Sequence, residues 1–528
     1  MIDRQTPGAA KYVAPFALAF VFVAGTRPAL AQPTDEPGAP TPSETAAPEQ
    51  TAPTTNAGTA PENQEKSTPR LVTEATPVPA AVAAEAETND VSWFERAPLT
   101  LSIGEGKKRW ALTFYGFLEA DFITDSTRSY SDSIGSSIVA RSDTYAGRVG
   151  RSQFSVRNTR LGLKFESPET GGVRPSAVFE GDFYGPSGSE SSEHTAYTSP
   201  NFRLRHAYLT LDNDYVTVLA GQTYDVFGWQ NYFFPMTAEF LGVPNQVFSR
   251  NTQFRLSHTF GANGPIAIDV AASATRPAQR DSGIPDANAG LRFSIPSVKG
   301  ITTPGSSGTI ALPLSLGVSA VARRFRVNSF TPPPAQNSNE TTGWGLSVDA
   351  LLPIIPAKGV NDRGNRLTLT GSFVTGTGIA DLITAGGGAA FPTLPNPAQA
   401  NPPPEYTPNV DDGLVTFDTR GVLHSIDWQA VKVGVQYYLP PSGRLIFSAN
   451  YTYAHSKNMD KLFPKGGAEI ELLGRVADTS HYGDVNLFWD ATPAVRLGVS
   501  GQYTKVEYLD KQNKPHNLRG MALALYAF

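Results

Sequence analysis

Apolar and polar residues alternate with a period of two along most of the chain after Trp110. Val431, Val433 and Val435 share one parity, for example, and the residues between and beyond them include Lys432 and Gln436. Successive side chains of a β-strand point to opposite faces, so this pattern predicts strands with one apolar and one polar face. The polar parity repeatedly carries Arg, Lys, Asp and Gln, which is typical of a wet barrel lumen and not of the dry core of a β-sandwich.

Sixteen segments show this pattern, and uncertain edges leave fourteen or eighteen strands open. The links between them mostly alternate between short turns and long loops, as in an outer-membrane barrel with both termini in the periplasm, although the presumed periplasmic links 296–311 and 354–365 are long. The predicted fold class is all-β, a transmembrane antiparallel β-barrel of about 16 strands over 93–528. The strands are predicted at 111–124, 152–166, 173–184, 202–211, 214–224, 250–260, 265–275, 287–295, 312–325, 343–353, 366–377, 429–439, 443–455, 480–490, 494–504 and 518–528.

The N-terminal part of the chain has a different character. Arg4 and Lys11, an apolar run over 12–25 and a small-x-small cleavage pattern predict a signal peptide over 1–31. Residues 32–92 are rich in Pro, Ala, Thr and Glu and cannot bury enough apolar surface to offset the entropy of ordering, so a disordered periplasmic linker is predicted. An inert leader and a tether that contacts peptidoglycan are both open for this linker.

Composition excludes several kinds of chemistry. The chain of 528 residues has no cysteine, and its seven histidines show no metal-ligand spacing such as His-x-x-x-His. We therefore expect no catalytic site, no metal and no cofactor, and we do not expect an enzyme. Residues 1–92 carry eleven acidic and five basic residues, so 93–528 are close to neutral at +1, and no basic patch for nucleic acid is present.

The C-terminal strand carries an additional signal. Tyr526 and Phe528 share one face, and a terminal Phe that closes an amphipathic strand resembles the assembly signal of bacterial outer-membrane barrels. Leu523 and Leu525 on the other face depart from the polar-inside pattern. We expect them to pack against a neighbouring lumen residue.

Five arginines fall on the lumen parity of their predicted strands, namely Arg160, Arg203, Arg205, Arg255 and Arg323. Arginine keeps its charge and holds carboxylates in a planar fork, and rings of arginine at a constriction favour anions. The alternative is that these residues pair with lumen carboxylates and only hold the barrel wall together.

The loop predicted over 225–249 is the third long loop and is far more aromatic than the others. In general porins the third external loop folds inward and narrows the pore, and this segment resembles that device. Its aromatic residues would then pack against the wall and leave Asp225 or Glu239 opposite the arginines. The alternative is a surface loop at a trimer interface, because exposed aromatic residues also mark interfaces.

Three segments, Ser152 to Glu166, Phe202 to Tyr208 and Leu219 to Gly228, resemble the DcaP-like trimeric porins. The resemblance implies a 16-stranded homotrimeric porin in the outer-membrane lipid, which takes up small and often anionic solutes such as dicarboxylates. Known members carry a helical N-terminal extension, whereas 32–92 are rich in proline and lack heptads.

These observations together lead us to expect a passive aqueous channel for small hydrophilic solutes in the bacterial outer membrane. One alternative is a structural envelope anchor with a plugged barrel. A second is a barrel-embedded lipid hydrolase, since His206 and His258 fall on the outer parity in this assignment.

Overall fold

The computed structural model describes residues 98–528, with gaps at 136–137, 187–191, 231, 240–241, 278–281, 306–307, 329–337, 385–412, 419–421, 463–475 and 512. The predicted signal peptide over 1–31 and linker over 32–92 lie outside the described residues and stay predictions. No helix among the described residues is both long and apolar enough to cross a membrane.

The described chain consists mainly of β-strands. Three short helices are present among the described residues, α1 (Tyr145–Arg148), α2 (Glu193–Thr198) and α3 (Met459–Leu462), with 3₁₀ turns at Gly106–Lys108 and Ala380–Leu382. The strands are β1 (Leu99–Ile103), β2 (Trp110–Asp125), β3 (Arg151–Ser155), β4 (Arg160–Glu166), β5 (Arg174–Asp182), β6 (Arg203–Asp212), β7 (Thr217–Tyr224), β8 (Arg250–Phe260), β9 (Ala267–Thr275), β10 (Asp286–Thr302), β11 (Ile310–Asn328), β12 (Ser338–Ile355), β13 (Arg366–Thr377), β14 (Val415–Phe417), β15 (Leu423–Ser425), β16 (Asp427–Tyr438), β17 (Leu445–Ser456), β18 (Ala477–Asp490), β19 (Val495–Tyr508) and β20 (His516–Ala527).

The strands form a closed antiparallel barrel. β3 and β4 pair with successive parts of β2 and make one wall strand, interrupted at 156–159. β20 pairs with 117–125 of β2 and so closes the sheet. β1 pairs with 110–114 of β2 along the same edge. Counted in this way, the described residues form sixteen wall strands, while β14 and β15 make a separate hairpin.

The sixteen predicted strands are all found, most within two to four residues of their predicted ends. The predicted link over 296–311 is wrong in extent, because β10 continues to Thr302 past a bulge between Ile295 and Lys299, which leaves 303–309 as the turn. β1 and the β14–β15 hairpin were not predicted. The short turns lie at one end of the barrel, here called the turn end, and the long connections lie at the other, the loop end. By the rule for outer-membrane barrels the turn end is periplasmic.

The outer face of the wall carries the apolar parity. Val485, Leu487 and Trp489 of β18 are 56%, 42% and 48% exposed, as expected for side chains on a lipid-facing surface. Leu523 and Leu525 point inward and are buried in an apolar cluster with Phe117 and Met521, which confirms the expected packing of the last strand.

A second apolar cluster fills part of the barrel interior toward the loop end; we call it the dry cluster. Side chains of β11, β13 and β16 meet residues from two loops there. Its largest members are Phe227, Phe325, Phe417 and Trp428, all 2% exposed or less. The polar part of the lumen therefore lies toward the remaining wall.

Candidate functional site

Arginines converge on the inner face of the wall formed by β4 to β8. We call Arg160, Arg203, Arg205, Arg250 and Arg255 the arginine cluster. Arg160 on β4 and both arginines of β6 face inward, as alternation predicts. The sequence prediction of lumen-facing side chains therefore agrees with the positions of these residues.

Two carboxylates of β5 link three of these arginines. Glu180 lies 2.8 Å from Arg205 Nε and 3.3 Å from Arg160 Nε. Asp182 accepts hydrogen bonds from Arg203 at 2.6 Å and from Arg205 at 3.1 Å. The alternative of lumen ion pairing thus holds for these three arginines, and each carboxylate is shared by two cations.

The other two cluster members have different partners. Arg255 donates to Gln253 Oε1 at 3.0 Å and to the main-chain carbonyl of Tyr224. The guanidinium carbon of Arg250 lies 5.9 Å from the ring centre of Tyr224 and 5.3 Å from that of Phe248. Its Nη1 is buried without a hydrogen-bond partner in the described part of the chain. The cluster therefore carries more positive charge than its two shared carboxylates balance.

A cavity of about 190 Å³ lies at this wall. Arg160, Glu180, His206 and Tyr224 line it from the strands, and Phe234 and Phe248 line it from the loop that follows β7. Charged arginine and aromatic ring thus face the same small volume.

The loop over 225–249 runs through the barrel interior. Trp229 Nε1 donates to the carbonyl oxygen of Val318 at 3.2 Å, and the main-chain N–H of Gly228 donates to Ser319 Oγ at 2.7 Å. These contacts place the first half of the loop on β11, three strands along the wall from β8. The inward fold expected for this aromatic segment is therefore present, and a surface loop is excluded.

Farther along, the loop is anchored to β16, β17 and β18. Lys432 Nζ donates to the carbonyl oxygen of Phe233 at 2.5 Å, and Asn450 Nδ2 donates to that of Met236 at 2.7 Å. Thr237 Oγ1 donates to Asp484 Oδ2 at 2.6 Å. Each anchor joins a lumen-facing polar side chain to the loop, which explains why polar residues inside this wall are almost fully buried.

Glycines of the wall make room for the loop's aromatic rings. A methyl group placed on Gly290 would lie 2.8 Å from the ring of Trp229, and one on Gly317 would lie 2.9 Å from the ring of Phe233. Any side chain at these positions would push the rings inward. The close approach of the loop to β10 and β11 therefore depends on glycine.

The two loop carboxylates occupy different places. Asp225 lies at the base of the loop and accepts hydrogen bonds from Ser249 Oγ at 2.6 Å and Asn251 Nδ2 at 2.7 Å. Glu239 pairs with Arg519 Nη1 of β20 at 2.7 Å. Burial raises the pKa of both carboxyl groups, and the Arg519 guanidinium opposes the rise at Glu239. The cation that pairs with Glu239 is therefore Arg519, on another wall, and not one of the arginines named from the sequence.

Arg323 lies outside the arginine cluster. It is 1% exposed and pairs with Asp286 at 2.8 Å and with Asp381 of the long loop after β13 at 2.5 Å. Arg323 faces the lumen, as the alternation of its strand predicts. Its contacts hold the start of that loop against β10 and β11.

Two breaks in strand alternation alter the positions predicted from parity. A register shift beside Glu180 lets both Arg205 and His206 point inward, and His206 Nδ1 lies 3.0 Å from Thr223 Oγ1. The assignment of His206 to the outer face is therefore wrong. The interruption at 156–159 also turns Arg157 inward, where Nη1 donates to Asp132 Oδ1 at 3.1 Å.

Sequence reasoning missed Arg250 and Arg519. Arg250 is the first residue of β8, at a junction between loop and strand where alternation does not define a face. Arg519 had a usable signal, since it lies between the outward-facing Leu518 and Gly520 on the final strand.

Comparisons with family models and with curated proteins give no match. Among solved structures, the chain is similar to the outer membrane channel DcaP of Acinetobacter baumannii, with 18% sequence identity and a TM-score of 0.54 over 79% of this chain and 97% of that chain. Lower TM-scores are found for OmpF of Salmonella typhi in complex with daunomycin (0.44, 10% identity, 81% of this chain and 100% of that chain). They are also found for an anion-selective porin from Comamonas acidovorans (0.43, 10% identity, 79% of this chain and 100% of that chain).

The resemblance that the sequence motifs indicate is thus confirmed at the level of the fold. The closed barrel and its apolar outer face fit a bacterial outer membrane, where every backbone group of a spanning segment must be paired. The chain therefore has the sixteen-stranded barrel fold of a bacterial outer-membrane channel and is similar in that fold to DcaP.

Proposed function

We propose that the chain is a passive channel for small hydrophilic solutes and that it prefers anions. The observation that carries the preference is Arg250, a half-buried arginine whose buried Nη1 has no hydrogen-bond partner in the described residues, beside a cavity already lined by Arg160. Two further cluster arginines, Arg203 and Arg205, add charge that Glu180 and Asp182 share. An anion passing this wall meets fixed positive charge, whereas a cation is repelled.

The remaining residues named from the sequence receive supporting roles in this proposal. Arg255 extends the positive wall, and Asp225 fixes the base of the loop through Ser249 and Asn251. Arg323 and Glu239 secure the two loops that border the passage. All of them would act by shaping a constriction, and none by covalent chemistry.

The test is the reversal potential of the purified protein in a planar bilayer under a KCl gradient. For wild type we expect the reversal potential to have the sign that corresponds to a preference for chloride over potassium. Arg250→Ala removes one charge, which at about 6 Å in water contributes about 0.7 kcal/mol to an anion. That corresponds to about a threefold lower anion partition.

Arg174→Ala is the matched control, since this arginine lies at the turn end and pairs with Asp212 at 2.9 Å on the exposed surface. Its reversal potential should equal that of wild type. Cation preference in wild type, or an Arg250→Ala value identical to wild type, would refute the anion proposal.

A plugged anchor remains the second candidate, and the dry cluster is the observation in its favour. Phe227, Val247 and Ile379 fill part of the interior with apolar side chains from loops and wall. Single-channel conductance separates the two candidates, because a plugged barrel carries no current. The hydrolase alternative loses its basis, since His206 points inward.

We also propose the assembly and export steps that the sequence indicates. A homotrimer follows from the motif resemblance, and light scattering of the detergent-purified protein would measure the protomer number. Cleavage after residue 31 is tested by N-terminal sequencing of the mature chain. Peptidoglycan contact through 32–92 is tested by co-sedimentation of the mature chain with purified sacculi.

A further inference from the structure

Four neighbouring strands present one row of polar side chains on the outer face near the loop end. The register pairs Tyr453 of β17 with His481 of β18, His481 with Lys505 of β19, and Lys505 with His516 of β20. All four residues have the outward parity and are partly or fully exposed. We call them the cationic row.

The row carries positive charge at its centre. Lys505 Nζ lies 2.9 Å from Glu507 Oε1, and Lys514 Nζ lies 3.3 Å from the other oxygen of the same carboxylate. One carboxylate is therefore shared by two lysines, which are 31% and 50% exposed at their side chains. His481 Nδ1 forms a hydrogen bond of 3.0 Å with the Tyr451 hydroxyl group. This bond orients the imidazole ring and directs its Nε2 away from Tyr451.

The row lies at the edge of the lipid-facing band. One outward position closer to the turn end, the same strands carry Tyr451, Gly483, Tyr503 and Leu518 in register. Tyr451, Tyr503 and Leu518 are 47%, 41% and 56% exposed, as expected for aromatic and apolar side chains at a membrane interface. The cationic row is thus at the level of lipid headgroups on the external side.

A groove of about 790 Å³ lies directly below the row. Its outer-face lining includes Val485, Tyr503 and Leu518, with Gly501 and Gly520 between them. Gly501 pairs with Gly520 on one side and with Val485 on the other, so two glycines lie side by side next to an apolar side chain. The lining is mainly apolar, which suits acyl chains and does not suit a free anion.

We infer that the cationic row and the groove below it form a binding site for a phosphorylated lipid of the outer leaflet. The phosphate contacts Lys505, Lys514 and the histidines of the row, and the acyl chains lie in the groove over Gly501. Charge complementarity selects the headgroup, and the groove selects a lipid over inorganic phosphate. This site is separate from the lumen and does not depend on the proposed solute preference.

The test measures binding of bisphosphorylated lipid A, and of the same lipid after dephosphorylation, to the full mature protein in detergent by native mass spectrometry. Wild type should retain the phosphorylated form preferentially. The pair Lys505→Gln and Lys514→Gln removes two charges, and at about fivefold per basic residue near an anionic surface we expect about 25-fold weaker binding. The matched control, Lys107→Gln with Arg174→Gln, removes two ion-paired charges at the turn end and should bind as wild type does.

A second variant tests the groove without disturbing the charge. A Cβ atom placed on Gly501 meets no atom within 4 Å, so we expect Gly501→Leu to fold and to fill the groove. This variant should weaken the binding of both the phosphorylated and the dephosphorylated lipid by a similar factor. Unchanged binding by this variant would overturn the assignment of the groove to acyl chains.

Three other outcomes would overturn the site. Equal binding of both lipid forms by wild type would exclude phosphate recognition. Full displacement by an equimolar amount of inorganic phosphate would make free phosphate the ligand. A change in protomer number in the Lys505 and Lys514 variant, with lipid binding intact, would assign the row to contact between copies of the chain.

Discussion

The hydrogen bond from Thr237 to Asp484 makes the inward position of the 225–249 loop testable. Thr237 is completely buried, and its hydroxyl donates to the carboxylate at 2.6 Å. Thr237→Val keeps the shape of the side chain and removes the donor. Hydrogen bonds to charged groups contribute about 1.5–3 kcal/mol, so the population with the loop detached should rise about 10- to 150-fold.

The assay is single-channel recording of the variant in a planar bilayer. We expect more frequent transitions between conductance levels than in wild type, because the anchors from Asn450 to Met236 and from Lys432 to Phe233 remain in place. Thr210→Val is the control, since its hydroxyl contacts Ser176 at 2.5 Å in the lumen wall and does not touch the loop. Traces of Thr237→Val that match both wild type and the control would refute the idea that this anchor holds the loop.

Two other changes test the packing of the interior. Gly317→Leu should displace the ring of Phe233, since a methyl group on residue 317 would already lie 2.9 Å from that ring. We expect the variant to have a lower single-channel conductance than wild type. A conductance equal to that of wild type would show that the loop does not border the passage. Arg323→Ala should leave Asp286 buried and Asp381 half-buried without their cation, at a cost of about 3–5 kcal/mol. A thermal unfolding midpoint in detergent equal to that of wild type would contradict the structural role of this arginine.

The wall could be predicted from the sequence because alternation is a local property with a fixed period. Each of the sixteen strands reads as apolar and polar in turn, and neighbouring turns set the strand ends. β1 was missed because its five residues are too few to establish a period, and β14 and β15 have three each. Segments of that length need tertiary contacts to identify them.

The site was harder to predict, because it depends on departures from alternation. His206 was placed on the wrong face since one irregular position beside Glu180 reverses the parity beyond it. Arg250 could not be assigned to a face at the start of its strand, and the pairing of Glu239 with Arg519 joins residues 280 positions apart. Alternation predicts which side chains face the lumen, but it does not show which of those side chains contact one another.

The seam between the two ends of the barrel has a consequence for biogenesis. The main-chain groups of Gly116 and Phe528 exchange two hydrogen bonds of 3.1 Å each, and β20 covers the edge of β2 above them. Until β20 is paired with β2, both edges expose unpaired amides, and each such group costs several kcal/mol in lipid. Insertion of a barrel that lacks β20 is therefore strongly disfavoured.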